Sequence, residues 1–190
     1  MIDPNTFYRY IRDYFKPIQD SVGVPFMIGG GAICDLVAHG HVTKDFDIYF
    51  RSYDDLAAFE ARITQLGYKC ISETKFGRQY ELINTRFDVI TWQVKTPAEF
   101  ISAFDFTVNS IMLDGDVLYH VQNSIEDCMY KRLVPVRQFT EQYGFRIKRY
   151  MEKGFRVYID PTLLDISLNR PVEPPEAPIM PIIRVDLSQY

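Results

Sequence analysis

The chain has 190 residues, 47% of them apolar and 24% charged, with a formal net charge of −4. That is enough for one domain with a real core and a small appendage, and the 13 Tyr and 14 Phe argue against disorder. No run of about 18 apolar residues is present to span a membrane; the start Met1-Ile2-Asp3-Pro4 lacks a signal peptide's pattern; Cys34, Cys70 and Cys128 form no Cys-x-x-Cys motif, which predicts reduced thiols in a cytoplasmic protein.

Phe7, Ile11, Phe15 and Ile18 recur at helical spacing and predict a helix over 5–20. A short apolar strand, 25–29, ends in Gly29-Gly30-Gly31 and leads into a helix over 31–39. A strand over 46–51 follows. Ser52 and Asp55 then fit a capped helix start, with Leu56, Phe59, Ile63 and Leu66 facing inward and Gly67 as the stop. Three strand candidates lie at 68–72, 79–83 and 87–92. Thr96-Pro97-Ala98-Glu99 combines a cap, an N1 proline and an N3 glutamate, a strong helix start. Residues 109–113 and 117–121 predict a hairpin around Asp114-Gly115. Helices are expected at 124–130 and 139–153. Residues 157–190 hold six of the 11 prolines and read as an extended strap docked on the domain or on a partner.

Charge is uneven along this order. Lys131 to Arg156 carries eight basic residues against Glu141 and Glu152, so the segment is +6 and the remainder −10. It reads either as a solvated helix face or as an anion-binding surface.

Two motifs carry chemistry. In Asp45-Phe46-Asp47 the strand alternation puts both carboxylates on one face and Phe46 on the other. Two close carboxylates repel, and a divalent cation with oxygen ligands, Mg²⁺ or Mn²⁺, relieves the repulsion. Asp88, in the strand-like run Phe87-Asp88-Val89-Ile90, is the best third ligand. The alternative for the acid pair is a solvated turn. Gly29, Gly30 and Gly31 allow close backbone approach and present N–H groups at a helix N-terminus, where a phosphate is favoured. No Lys-Ser/Thr follows, so this is not a Walker loop, and it is not Gly-x-Gly-x-x-Gly. The alternative is a tight strand–helix turn. His39 and His41 lack partners at zinc spacing and read as a loop beside the phosphate site. His120, Tyr49 and Trp92 default to core packing, although either aromatic could stack on a base.

These residues, in this order, resemble the polymerase-beta-type nucleotidyltransferase superfamily. Within it they are most similar to the head of bacterial tRNA CCA-adding enzymes and poly(A) polymerases. That branch has Gly-Gly-x-x-Arg-Asp before Asp-x-Asp; here stand Gly30-Gly31-Ala32-Ile33-Cys34-Asp35 and Asp45-Phe46-Asp47. Its Arg-Arg-Asp-Phe-Thr-x-Asn resembles Ala103-Phe104-Asp105-Phe106-Thr107-Val108-Asn109. Its neck helix resembles Arg146-Ile147-Lys148-Arg149-Tyr150, with Gly154-Phe155 at the end.

The resemblance implies an α/β (α+β) head over 1–121 with a small mixed sheet flanked by helices, a short helical neck over 122–156 and the proline-rich tail. It implies Asp45, Asp47 and Asp88 as catalytic metal ligands. Gly30 and Gly31 would hold the triphosphate of ATP or CTP. Asp105 and Asn109 would lie near the sugar or the head–neck joint, and Arg146 and Arg149 would face base or phosphates. The implied activity is transfer of NMP to an acceptor hydroxyl, an RNA 3′ end gripped by 131–156 being the leading acceptor. Cys34, Ala103, Phe104 and Gln142 depart from the pattern, and the branch's tRNA-holding body has no counterpart in 1–190. This is the form of a minimal, divergent member of the kind expected in phage genomes. A fold kept only for binding or structure, in a phage particle or a toxin–antitoxin pair, is the competing expectation.

Overall fold

The computed structural model describes residues 4–41, 45–136, 143–158 and 180–190. Arg137, Glu141, Gln142, the first residues of the helix expected at 139–153 and most of the tail lie outside them. The described helices are α1 (Pro4–Val22), α2 (Gly31–His39), α3 (Tyr53–Gln65), α4 (Pro97–Ser102), α5 (Ser124–Met129) and α6 (Tyr143–Glu152). The strands are β1 (Met27–Gly29), β2 (Asp45–Phe50), β3 (Lys69–Thr74), β4 (Gly77–Leu82), β5 (Thr85–Gln93), β6 (Ile111–Asp114), β7 (Val117–Val121), β8 (Arg132–Leu133), β9 (Arg156–Val157) and β10 (Ile182–Asp186).

Helix starts follow local chemistry closely. Ser52 Oγ accepts from the Asp55 N–H at 3.1 Å and opens α3. Thr96 Oγ1 accepts from the Glu99 N–H at 3.1 Å, and Glu99 Oε2 accepts from the Lys95 N–H at 2.8 Å, opening α4. One expected strand start moves: Asn109 belongs to a single 3₁₀ turn, Thr107–Asn109, and β6 begins at Ile111. The Asn109 side chain explains the turn, because its Oδ1 accepts from the Phe106 N–H at 3.1 Å and closes the backbone locally.

The sheet is mixed, as expected, but larger than expected. Eight strands run in the order β10-β7-β6-β1-β2-β5-β4-β3. The tail supplies one edge: β10 pairs antiparallel with β7, and Leu187 just beyond it is fully buried. Among the described strands of this sheet only β2 and β5 pair in parallel, Asp45 to Arg86 through Ile48 to Val89. A parallel neighbour requires a crossover. Here α3 and the β3–β4 hairpin provide it, and they bring residue 88 beside residue 47.

The two sheet faces differ. Phe46, Ile48, Phe50, Phe87 and Val89 enter the main core with Ile11 and Phe15 of α1, Ile33 and Leu36 of α2, and Phe59 and Ile63 of α3. The opposite face carries a smaller cluster in which Met27, Tyr49 and Met112 pack on Phe100 and Ile101 of α4. Each fully buried Phe or Ile contributes roughly 1.5–3 kcal/mol.

Helix α6 is tied to the rest by charge and by rings. Lys153 Nζ lies 2.8 Å from Oδ2 of Asp35, whose side chain is only 2% exposed. Arg146 pairs with Asp105. Tyr150 packs edge-on against Phe106 and Phe155, with centroids 5.8 and 5.3 Å apart.

Lys153→Met leaves the Asp35 charge buried without its cation, and we expect a loss of about 3 kcal/mol. Asp35→Asn/Lys153→Met should recover more than half of it. Urea denaturation of both variants measures the difference, and a single variant within about 0.5 kcal/mol of the parent would contradict the clamp.

Candidate active site

A cleft of about 360 Å³ opens on the α4 side of the sheet, within the usual range for small-ligand sites. Gly31, Asp47, Tyr49, Trp92, Phe104, Asn109, Arg146, Arg149, Tyr150 and Lys153 are among its lining residues. The sheet, the start of α2, the 103–109 segment and α6 thus meet around one space.

The sheet supplies the acids. Asp47 and Asp88 are direct partners across the parallel pair, and Asp45 shares their face. Asp47 is pushed up to about 6, first by burial, then by Asp88; Arg149 opposes this and Asp45 adds to it. Burial and Asp45 also raise Asp88. Asp45 is held by Arg86, 3.5 Å away. Among the described residues, no three His, Cys, Asp or Glu side chains are drawn together as a ready-made metal cluster. The donor set nevertheless suits a hard divalent cation. Asp88 Oδ1 is buried without a hydrogen-bond partner among the described groups, at the point where the acids repel. Such an atom is costly unless something positive meets it.

The three glycines differ in what they require. Gly29 has no room: a Cβ would lie 2.5 Å from Tyr49 Cε2 and 2.8 Å from Phe100 Cζ. Gly30 takes φ +33°, and a Cβ would come within 2.9 Å of the Asn109 carbonyl oxygen. At Gly31 a Cβ would meet nothing within 4 Å, because that position faces the cleft. Gly31 therefore presents uncovered backbone to the cleft. The Cys34 N–H is already used by the Gly30 carbonyl at 3.0 Å, while the N–H groups of Gly31, Ala32 and Ile33, in the first turn, have no acceptor within the helix itself.

Helix α6 supplies the cations. Arg146 and Arg149 lie three apart on one face of α6, and Lys153 follows in the turn just after it. Arg146 pairs with Asp105, and Arg149 makes no salt bridge with the described residues. Arg149 lines the same cleft as Asp47 and opposes the upward shift of both Asp47 and Asp88. Lys153 was not singled out from the sequence.

The basic segment is thus not one open surface. Arg132 pairs with Asp127 at 2.8 Å, Lys131 Nζ lies 3.2 Å from His39 Nδ1, and Arg146 and Lys153 hold acids of the head. His39 ends α2, and the helix is roughly 13 Å long, so His39 and His41 sit at the far end from the cleft rather than beside it. His120 is a satisfied core residue, its Nδ1 2.8 Å from the Val121 carbonyl. Cys34, where the resembling branch has Arg, is fully buried beside Cys128. Its burial and the neighbouring Cys34 push the Cys128 thiol up.

The fold resembles that of solved CCA-adding enzymes. A CCA-adding enzyme solved with ATP is 20% identical over 88% of this chain and 43% of its own, with a TM-score of 0.59. The Thermotoga maritima CCA-adding enzyme complexed with tRNA gives 19%, 88%, 43% and 0.57, and a tRNA-processing enzyme with CTP gives 15%, 75%, 42% and 0.56. The chain spans under half the length of these neighbours, and at such identity the likeness is one of fold. A comparison with curated proteins finds no match. The model of the Gabija anti-defense 2 family matches residues 5–131, and the chain belongs to that family.

Two outcomes follow from this geometry. Gly31→Ala should keep or slightly raise stability, by up to about 1 kcal/mol, yet weaken Mg²⁺–ATP binding at least tenfold by calorimetry. Gly29→Ala should instead destabilise by about 2 kcal/mol, because two rings must move. The second outcome concerns pH. Folded Asp47 keeps a proton that the unfolded chain has lost, so the folded state binds more protons between about pH 4 and pH 6. Stability should fall as pH rises through that window, by up to about 3 kcal/mol, and Asp47→Asn should flatten the slope. Denaturation midpoints from pH 4 to 7.5 test this; an unchanged slope in the variant would contradict it.

Proposed function

We propose that the protein is a metal-dependent nucleotidyltransferase that moves NMP from a nucleoside triphosphate to an acceptor hydroxyl, and that this chemistry serves the anti-Gabija role named by its family. One observation carries the reading: Asp47, locked opposite Asp88 by the strand register, lines a cleft that Gly31 at the start of α2 also lines. In such a reaction the acceptor oxygen attacks the α-phosphorus, the bond to the β-phosphate oxygen breaks, and pyrophosphate leaves.

Asp45, Asp47 and Asp88 would hold Mg²⁺ or Mn²⁺, which neutralises the charge developing on the phosphates. The N–H groups of Gly31, Ala32 and Ile33 bind phosphate oxygens. Arg149, free of salt bridges with the described residues, faces the same charge. Asp88, whose Oδ1 is buried without a partner among the described groups, would assist deprotonation of the acceptor through the metal. The acceptor we name is an RNA 3′ end. The exposed Lys148, Arg149 and Arg156 support it, as does a neighbour solved with tRNA.

A second reading, a binding protein without catalysis, has its own support. Arg146 and Lys153 are already neutralised by Asp105 and Asp35, and Cys34 offers no charge where the resembling branch has Arg.

The decisive assay incubates the protein with α-labelled ATP, CTP, GTP or UTP, Mg²⁺ or Mn²⁺, total RNA and the protein itself. Label should appear on RNA in the parent and fall at least a hundredfold in Asp47→Ala. Label on the protein would change the acceptor, and γ-label transfer would make it a kinase. Tight Mg²⁺–NTP binding with no transfer of either label favours the second reading.

A further inference from the structure

The mechanism leaves one conspicuous group in the cleft unused. Trp92, the single tryptophan of the chain, lines the cleft and is 40% exposed, although it lies on the strand that carries Asp88. A core residue at this place would be covered.

Its position comes from an irregularity in the sheet. Ile48 pairs with Val89, but Phe50 pairs with Gln93, so Ile90, Thr91 and Trp92 lie opposite the single residue Tyr49. Bulges of this kind re-aim side chains beside functional sites. Two extra residues preserve the alternation, so Trp92 stays on the face of Asp88 while being lifted out of the ladder. Tyr49 braces it edge-on, with centroids 6.3 Å apart at 87°. Tyr49 cannot yield, since it is packed at 4.9 Å on Phe100 and pressed on Gly29. The indole is therefore exposed and also held still.

Groups that could read a base edge are scarce here. Asn109 Oδ1 is taken by the Phe106 N–H, Arg146 by Asp105 and Lys153 by Asp35. Arg149 lines the cleft together with Asp47, on the side the proposal gives to the phosphates. Aromatic surface lines the same space, and its exposed member is Trp92.

We propose that Trp92 is the stacking platform for the base of the bound nucleoside triphosphate, and that the site selects by π-surface, taking purine nucleotides over pyrimidine nucleotides without separating ATP from GTP. Stacking tolerates any base and strengthens with ring area. The inference rests on the nucleotidyltransferase reading for the triphosphate, but its test stands apart from catalysis.

Because Trp92 is the sole tryptophan, its emission reports this one position. AMP and GMP, which need no metal, should quench it, and about tenfold more tightly than CMP or UMP. Inorganic triphosphate with Mg²⁺ should bind without quenching. Trp92→Ala should weaken ATP binding about tenfold by calorimetry and leave triphosphate binding unchanged, and Trp92→Phe should restore most of it. Equal affinity for CMP and AMP, or for ATP in Trp92→Ala and the parent, would overturn the platform even if NMP transfer is found. Quenching by AMP without any NMP transfer would retain the platform and remove the transferase.

Discussion

The register between β2 and β5 is the constraint on which the site depends. It sets Asp47 directly beside Asp88, a like-charge contact that disfavours folding. The opposite faces of the same two strands hold it in place, because Phe46, Ile48, Phe87 and Val89 are buried in the main core. A one-residue slip would turn those four toward the cleft and the acids toward the core. The hydrophobic face thus enforces the repulsion on the polar one. The cost appears as the raised Asp47 and the unpartnered Asp88 oxygen.

Around that pair, charge is arranged economically. Three of the seven described cations of the strongly basic segment pair with acids: Arg132 with Asp127, Arg146 with Asp105, Lys153 with Asp35. The Arg146 and Lys153 pairs fasten α6 and its end to the rest of the fold, and Arg149 lines the cleft beside Asp47. A segment of net charge +6 therefore acts in part as a fastening, and its local field is weaker than its composition suggests. The family match ends at residue 131, and α6 lies beyond it.

Much of this was legible before any coordinates. Ser52 and Thr96 announce α3 and α4 through side-chain oxygens that accept from their own helix, and such contacts span only three residues. Asp45 and Asp47 share a face because strand geometry alternates. Less legible were features made by distant partners. β10 is a strand because β7 had an open edge, and nothing in residues 182–186 announces that edge. The three consecutive glycines look equivalent in sequence, yet one is crowded by Tyr49, one is bent against Asn109 and one is bare.

By itself the sequence determined what local chemistry dictates: the order of helices and strands, the side of the strand that carries the acids, and the run of glycines before a helix. Only the tertiary structure decided which acids face each other, which cations are already used, and that Trp92 lies in a cleft rather than in the core. Those outcomes depend on strand register and on contacts between residues dozens of positions apart. A bulge of two residues or a salt bridge 118 residues long in sequence leaves no periodic trace in the chain.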